Sequence, residues 1–400
     1  MIQINNKALN KTISVDRVIY KIEGKEKGPT VVFFGGIHGN EPAGVFALEE
    51  VLKTIDRKNV RGTIYALSGN LAALEKKQRF LDIDLNRIWT KKQLLTTKYK
   101  TDRNNEEQQQ KVLYDIVWKI LDDHPGPFYF IDLHTTSSQT LPFITINDAL
   151  INRRFSKLFP VPIVLGIEEY LNGPMLSYIN ELGYVSLGFE AGQHDEKQAI
   201  RNNIAFINLA LTFSNAIDKE QIKNFEQHYE QLWEDANHSK DLYEVIQLHT
   251  ILNGDEFEMK PGFRSFQNIK KGEEIARSNN DILTSEHDAQ IFMPLYQVKG
   301  NEGFFVIQKI RPLFIRLSSL LRRLRFDGLL IILPGITWQN RQLGVLRVNL
   351  ATTKYLAKPI FHLLGYRNRQ ADDTHILLYN RERVAKTKMY KKEFWYKKNV

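Results

Sequence analysis

The 400-residue chain is 42% hydrophobic and 11% aromatic, enough for a large buried core spread over more than one domain. It has no cysteine, which excludes a disulfide framework, a thiolate metal site and a cysteine nucleophile; a bound metal would have to be held by His, Asp or Glu. The formal charge of +9 is unevenly placed: from Arg311 onward 19 Lys and Arg face 5 Asp and Glu, so this stretch carries +14 and the remainder −5.

Met1 to Ile22 is polar and charged and lacks the basic start, apolar run and cleavage site of a secretory signal, which points to the cytoplasm. Val31-Val32-Phe33-Phe34 reads as a short buried strand that runs into a turn at Gly35-Gly36. From Pro42 to Lys53 the apolar residues Val45, Leu48, Val51 and Leu52 follow a helical period, with proline suited to the first turn. Thr63 to Leu67, Pro127 to His134 and Tyr184 to Glu190 read as further strands, with helices over Glu106 to Leu121 and Ala199 to Ile217. This alternation predicts an α/β domain with a largely parallel sheet flanked by helices. In such sheets functional groups gather beyond the carboxyl ends of the strands, where His38 and His134 fall.

The sequence turns polar between Ile222 and Asp241, and turn-punctuated short segments follow at Gly254, Pro261-Gly262, Lys271-Gly272 and Gly300 to Gly303, which suggests a smaller β domain. The expected limits are 1–220 for the catalytic domain, 240–312 for the β domain and 313–400 for a basic extension. Within the extension, Leu313 to Arg325 is apolar on one side and cationic on the other. One reading is a helix that docks on a membrane surface or a partner; the commoner outcome for a charge run is a solvated basic face, here packed on the β domain. The lysine-rich end, Lys386 to Lys398, is expected to be disordered. The apolar run Gly328 to Gly335 falls far short of the ~20 residues that span a bilayer.

The chemistry concentrates in the first half. His38-Gly39-Asn40-Glu41 places an imidazole and a carboxylate three residues apart at a strand-to-helix turn. Zinc accepts both donors, and a catalytic zinc site needs three protein ligands with one position left for water. A His-x-x-Glu pair carries little weight alone. His134 supplies a third donor from another strand, and Asp132, two positions earlier, faces the same side and is suited to orient that imidazole.

Four segments, Gly35-Gly36-Ile37-His38-Gly39-Asn40-Glu41-Pro42, Asp84-Leu85-Asn86-Arg87, Asp132-Leu133-His134-Thr135 and Gly188-Phe189-Glu190-Ala191-Gly192, resemble in order and spacing the motifs of the succinylglutamate desuccinylase/aspartoacylase family, related in fold and metal site to the zinc carboxypeptidases. The resemblance implies one zinc ion per chain held by His38, Glu41 and His134, with Glu190 as the catalytic carboxylate. It also implies that Asn86 and Arg87 hold the substrate carboxylate and that Arg79, a looser match, polarises the scissile carbonyl. The β domain, with Lys260 to Ala276 and Asp288 to Pro294, resembles the barrel-sandwich module of biotinyl and lipoyl carriers, which family members use to shape the mouth of the site. One departure stands out: the further arginine that aspartoacylases carry some ten residues before the catalytic glutamate has no counterpart in Leu176 to Gly183.

The expected activity is therefore hydrolysis of the amide bond of a small N-acyl amino acid, with Glu190 taking a proton from water and passing it to the leaving nitrogen. The alternatives are a zinc carboxypeptidase acting on short peptides and an inactive zinc-binding protein that docks through its basic tail. Phe394, Trp395 and Tyr396 among lysines have the composition of a base-stacking surface. The charge lies outside the domain that carries the catalytic motifs, so no nucleic-acid partner is expected. The sequence leaves homo-oligomerisation open.

Overall fold

A computed structural model describes residues 1–6, 8–353, 357–370 and 374–397. A hairpin of β1 (Ile2–Asn6) and β2 (Lys11–Val15) precedes β3 (Val18–Glu23) and β4 (Glu26–Gly35), followed by α1 (Ala43–Leu52), β5 (Arg61–Ser68), α2 (Leu71–Lys76), α3 (Lys91–Tyr99) and α4 (Asn105–Asp123). Then come β6 (Phe128–Thr136), β7 (Phe143–Ile146), α5 (Leu150–Ser156), β8 (Ile163–Leu165), α6 (Met175–Glu181), β9 (Val185–Gln193), α7 (Lys197–Phe213) and α8 (Phe225–Asp235). β5, β4, β6 and β9 lie side by side and parallel, as the alternation of strands and helices predicts.

Both faces of these strands are covered, which is why they read as unbroken apolar runs. Alternate side chains divide between two cores. Val31, Phe33, Ile131 and Leu133 pack with residues of α1, α5 and α7. Val32, Phe34, Phe128 and Phe130 pack with α4 and α6 on the other face. The closest ring contact is Phe189 of β9 on Phe206 of α7, stacked at 3.9 Å between centroids.

The segments after Asp241 do not stand apart as a detached domain. β10 (Leu242–Thr250) pairs in parallel with β8, and after β11 (Phe257–Met259) come β12 (Gln267–Ile269), β13 (Glu274–Ser278), β14 (Asp281–Thr284), β15 (Ala289–Phe292) and β16 (Glu302–Lys309). β10, β16, β15 and β12 continue the central sheet to eleven strands, while β11, β13 and β14 form a second small sheet. Met259, Ile269, Ile275 and Phe304 join these two sheets in one apolar core.

The extension folds as α9 (Pro312–Arg323), 3-10 turns over Phe326–Ile332, and an antiparallel sheet made of β17 (Ile336–Asn340), β18 (Val345–Asn349), β19 (Tyr366–Gln370) and β20 (His375–Asn380), with short helices α10 (Leu350–Thr353) and α11 (Ala357–Leu363) between strands. Two expectations are corrected here. The lysine-rich end is ordered through Lys397, Lys398 lying outside the described residues: Tyr390 and Trp395 are buried against Tyr129 and Phe155, and the Tyr390 hydroxyl donates to Phe128 O at 2.5 Å. Nor does α9 present a plain basic face packed on the β domain. It is fastened to the α/β domain by Arg322, whose fully buried guanidinium donates to Asp148 Oδ2 at 2.7 Å, beside Arg153 on the same carboxylate.

Asp148 thus holds two buried guanidinium groups, and removing it leaves both charges without their main counter-ion. The substitution Asp148→Asn is expected to cost about 3–5 kcal/mol of stability, as for other broken buried ion pairs, and urea unfolding followed by circular dichroism measures it.

Candidate active site

The site forms where β4, β6 and β9 end. Gly36 turns the chain out of β4 with φ +70, and the Cα of Gly44 comes so close to β6 that an added Cβ would lie 2.7 Å from Leu133 Cβ. This close approach lets the segment that leads into α1 bring Glu41 against His134, which β6 carries opposite Glu190 of β9 in parallel register.

Glu41 is shared between two imidazoles. Its Oε1 lies 2.8 Å from His38 Nδ1 and its Oε2 lies 3.1 Å from His134 Nδ1, while Thr135 N donates to Oε2 at 3.0 Å. One donor atom from each of His38, Glu41 and His134 lies within 4.8 Å of the others, and all three residues are buried. The distal imidazole nitrogens face carboxylates: His134 Nε2 is 2.7 Å from Asp132 Oδ2, and His38 Nε2 is 3.2 Å from Asp84 Oδ1. Burial alone would raise the Glu41 carboxyl, but His38 and His134 hold it well below the usual range. Burial would likewise strip a proton from His134, yet Asp132 and Glu41 hold that proton well above the ordinary imidazole range.

Glu190 is the exception among these carboxylates. Its Oε2 is buried without a hydrogen-bond partner, and burial, reinforced by Glu41 and Asp132, pushes its pKa up to about 8 against the pull of His134 and Arg79. A cation at the three nearby donors would favour the carboxylate and lower that value. Two nitrogen donors and one carboxylate, each imidazole oriented by an acid behind it, suit zinc and leave a coordination position open.

The sequence-predicted arginines also reach the cavity. Arg79 donates to Glu41 Oε1 at 3.4 Å and to Asp84 Oδ2 at 3.1 Å, and its Nε is buried without a partner. Asn86 accepts from Met175 N at 2.9 Å, and Arg87 donates through Nε to Glu302 at 3.0 Å. Asp84, in contact with both His38 and Arg79, was visible in the sequence only as the first letter of its motif.

Glu302, His194 and Gln297 were not anticipated. Gln297 comes from the loop between β15 and β16, lies 3.3 Å from His194 Nε2 and accepts from Asn40 at 2.8 Å; His194 Nδ1 in turn lies 2.7 Å from Thr135 Oγ1. Lys299 of the same loop donates to Phe80 O at 2.7 Å, which ties down the segment that carries Arg79. No pattern in the sequence links residues so distant along the chain.

Residues 27–214 match the model of the succinylglutamate desuccinylase/aspartoacylase catalytic domain. Over these residues the chain carries that family's catalytic domain. A probable aspartoacylase of Acaryochloris marina is 33% identical over 122 residues, 30% of this chain and 39% of that protein. A succinylglutamate desuccinylase of Pseudomonas fluorescens is 33% identical over 69 residues, 17% and 21% of the two chains. The matched segments therefore span less than half of these curated relatives. Among solved structures, a Rhodobacter sphaeroides succinylglutamate desuccinylase/aspartoacylase superposes with a TM-score of 0.55 at 16% identity, over 73% of this chain and 88% of that one. The product-bound ectoine utilization protein EutE (DoeB) of Ruegeria pomeroyi gives 0.54 at 17%, over 72% and 87%. At these identities the likeness is one of fold, and it covers more of the chain than the matched domain does.

Metal binding at these donors must displace the proton held on His134, so affinity is expected to rise with pH from the neutral range upward. Calorimetric titration with Zn2+ is expected to show one ion per chain, loss of binding in His134→Ala, and an affinity roughly 10–100-fold weaker in Asp132→Asn.

Proposed function

We propose that the protein is a zinc-dependent hydrolase that cleaves the amide bond of a small N-acyl amino acid. The observation that carries this reading is the convergence of His38, Glu41 and His134 on one point beside an unpartnered Glu190 oxygen. The family model over the same residues supports it.

Zinc at such a site would act as a Lewis acid and lower the pKa of a water toward neutrality. The remaining steps belong to the chain. Glu190 Oε2, free of other partners, accepts the proton of the attacking water and returns it to the leaving nitrogen. Arg79, within reach of Glu41, donates to the carbonyl oxygen as it gains charge. The planar fork of Arg87, with the amide of Asn86 beside it, receives the carboxylate of the amino-acid portion.

Glu302 already accepts from Arg87 through Nε at 3.0 Å. Arg87 stays charged, since Asp84 and Glu302 outweigh the effect of its burial, but a substrate carboxylate has to compete with the glutamate for the guanidinium. Replacing Glu302 by Gln is expected to lower KM for N-acyl amino acids about tenfold, on the order of one charge-assisted hydrogen bond, with kcat little changed.

Release of free amine from a panel of N-acyl amino acids, with short peptides run alongside, tests the assignment. Hydrolysis of the N-acyl amino acids is expected, abolished by a chelator, restored by Zn2+ and reduced roughly 10²–10⁴-fold in Glu190→Gln. Turnover indifferent to the chelator would remove the metal from the mechanism, and a preference for peptides would favour the carboxypeptidase alternative.

A further inference from the structure

Helix α9 is packed with its apolar side outward. The residues it buries are Ile315, Ser318, Ser319 and Arg322. Leu313, Leu317, Leu320 and Leu324, spaced at i, i+4, i+7 and i+11 and so aligned on one face, are all exposed, Leu313 by 72%. The 3-10 turns that follow extend the surface: Phe326, Leu329, Ile331 and Ile332 are exposed, the last by 76%.

The orientation is fixed from beneath. Ser318 donates to Leu363 O at 2.8 Å, and Arg322 binds Leu363 O, His362 O and Asp148. Turning the leucines inward would leave Asp148 facing apolar side chains and Arg322 in solvent. Aliphatic side chains left in water forgo the free energy of burial, and a patch of this extent on a folded chain marks a surface that is covered in use.

Charge says by what. Arg316 and Arg323 flank the stripe and are exposed, as is Arg325 between the helix and the 3-10 turns. Between Arg311 and Ala371 the one acidic residue is Asp327, and it is buried as an acceptor from Arg383. Arg325 also lines a recess with Arg383, Lys386, Lys388 and Lys392, where the acids present, Asp327 and Glu382, are already paired with Arg383 and Arg322. Two copies meeting through this face would bring like charges together. An anionic lipid surface complements the cations and accepts the leucines at once.

From this we infer that α9 and the 3-10 turns after it form a membrane-docking face, which lays its leucine stripe into the boundary of a bilayer rich in anionic lipids while the Arg325 recess receives a headgroup phosphate. Among the described residues no helix is long and apolar enough to cross a membrane, so the contact is one of lying on the surface.

Co-sedimentation of the full chain with vesicles tests this. Binding is expected to mixed phosphatidylglycerol and phosphatidylcholine vesicles, to weaken in high salt, and to be much weaker on phosphatidylcholine alone. The double variant Leu317→Glu/Leu320→Glu and the double variant Arg325→Glu/Lys392→Glu are each expected to lower partitioning by roughly tenfold or more, with thermal melting unchanged because all four side chains are exposed. Failure to bind anionic vesicles at low salt would overturn the inference. So would light scattering that shows a dimer dissociated by Leu320→Glu, which would assign the face to a second copy.

Discussion

The catalytic domain is organised around one constraint, the concentration of acid in a place with little water. Glu41, Asp84, Asp132 and Glu190 converge at the ends of neighbouring strands, and all but the partly covered Asp84 are buried by more than nine-tenths. A carboxylate in such surroundings needs a cation or a set of donors. Two imidazoles and the Arg79 guanidinium serve three of the four, and Glu190 is left over. The proton held on His134 is thus part of what keeps the acids together, and it is a charge a divalent ion would replace. The same groups therefore account for the local order of the loops and for the chemistry proposed.

Much of this could be read from residue order because it is local. His38 and Glu41 sit one turn apart where a strand becomes a helix, and Asp132 and His134 share a side of β6 by the two-residue repeat of a strand, so spacing alone places them. The parallel strands were legible for a related reason: coverage on both faces leaves an unbroken apolar run, and β4 and β6 show it. What escaped is non-local. Glu302 and Gln297 enter the cavity from a segment more than 200 residues beyond Arg87 and Asn40 in their contacts, and nothing in a glutamate or glutamine says which arginine or asparagine it will meet.

The same limit explains the misjudged extension. An alternation of leucine and arginine reveals an amphipathic helix, but the side that faces inward is decided by what lies beneath it. Here that is Asp148, already paired with Arg153, and a second guanidinium completes the cluster where a leucine would have left it short of charge. Electrostatic demand from the catalytic domain outweighs the hydrophobic preference of the helix.

The extension is also joined to the cavity itself. Arg381, just after β20, pairs with Glu168, which lines the cavity and accepts from Asp148 N at 3.3 Å. Asp148 in turn holds Arg322 of α9. One chain of buried charge therefore runs from the outward-facing helix through Arg322 and Asp148 to a wall of the candidate active site. Buried ion pairs have narrow geometric tolerance, since a displaced partner strands a charge in low dielectric. The position of α9 and that of the cavity wall, a 3-10 turn at Ile167–Glu169, are therefore set by the same connected group of buried charges.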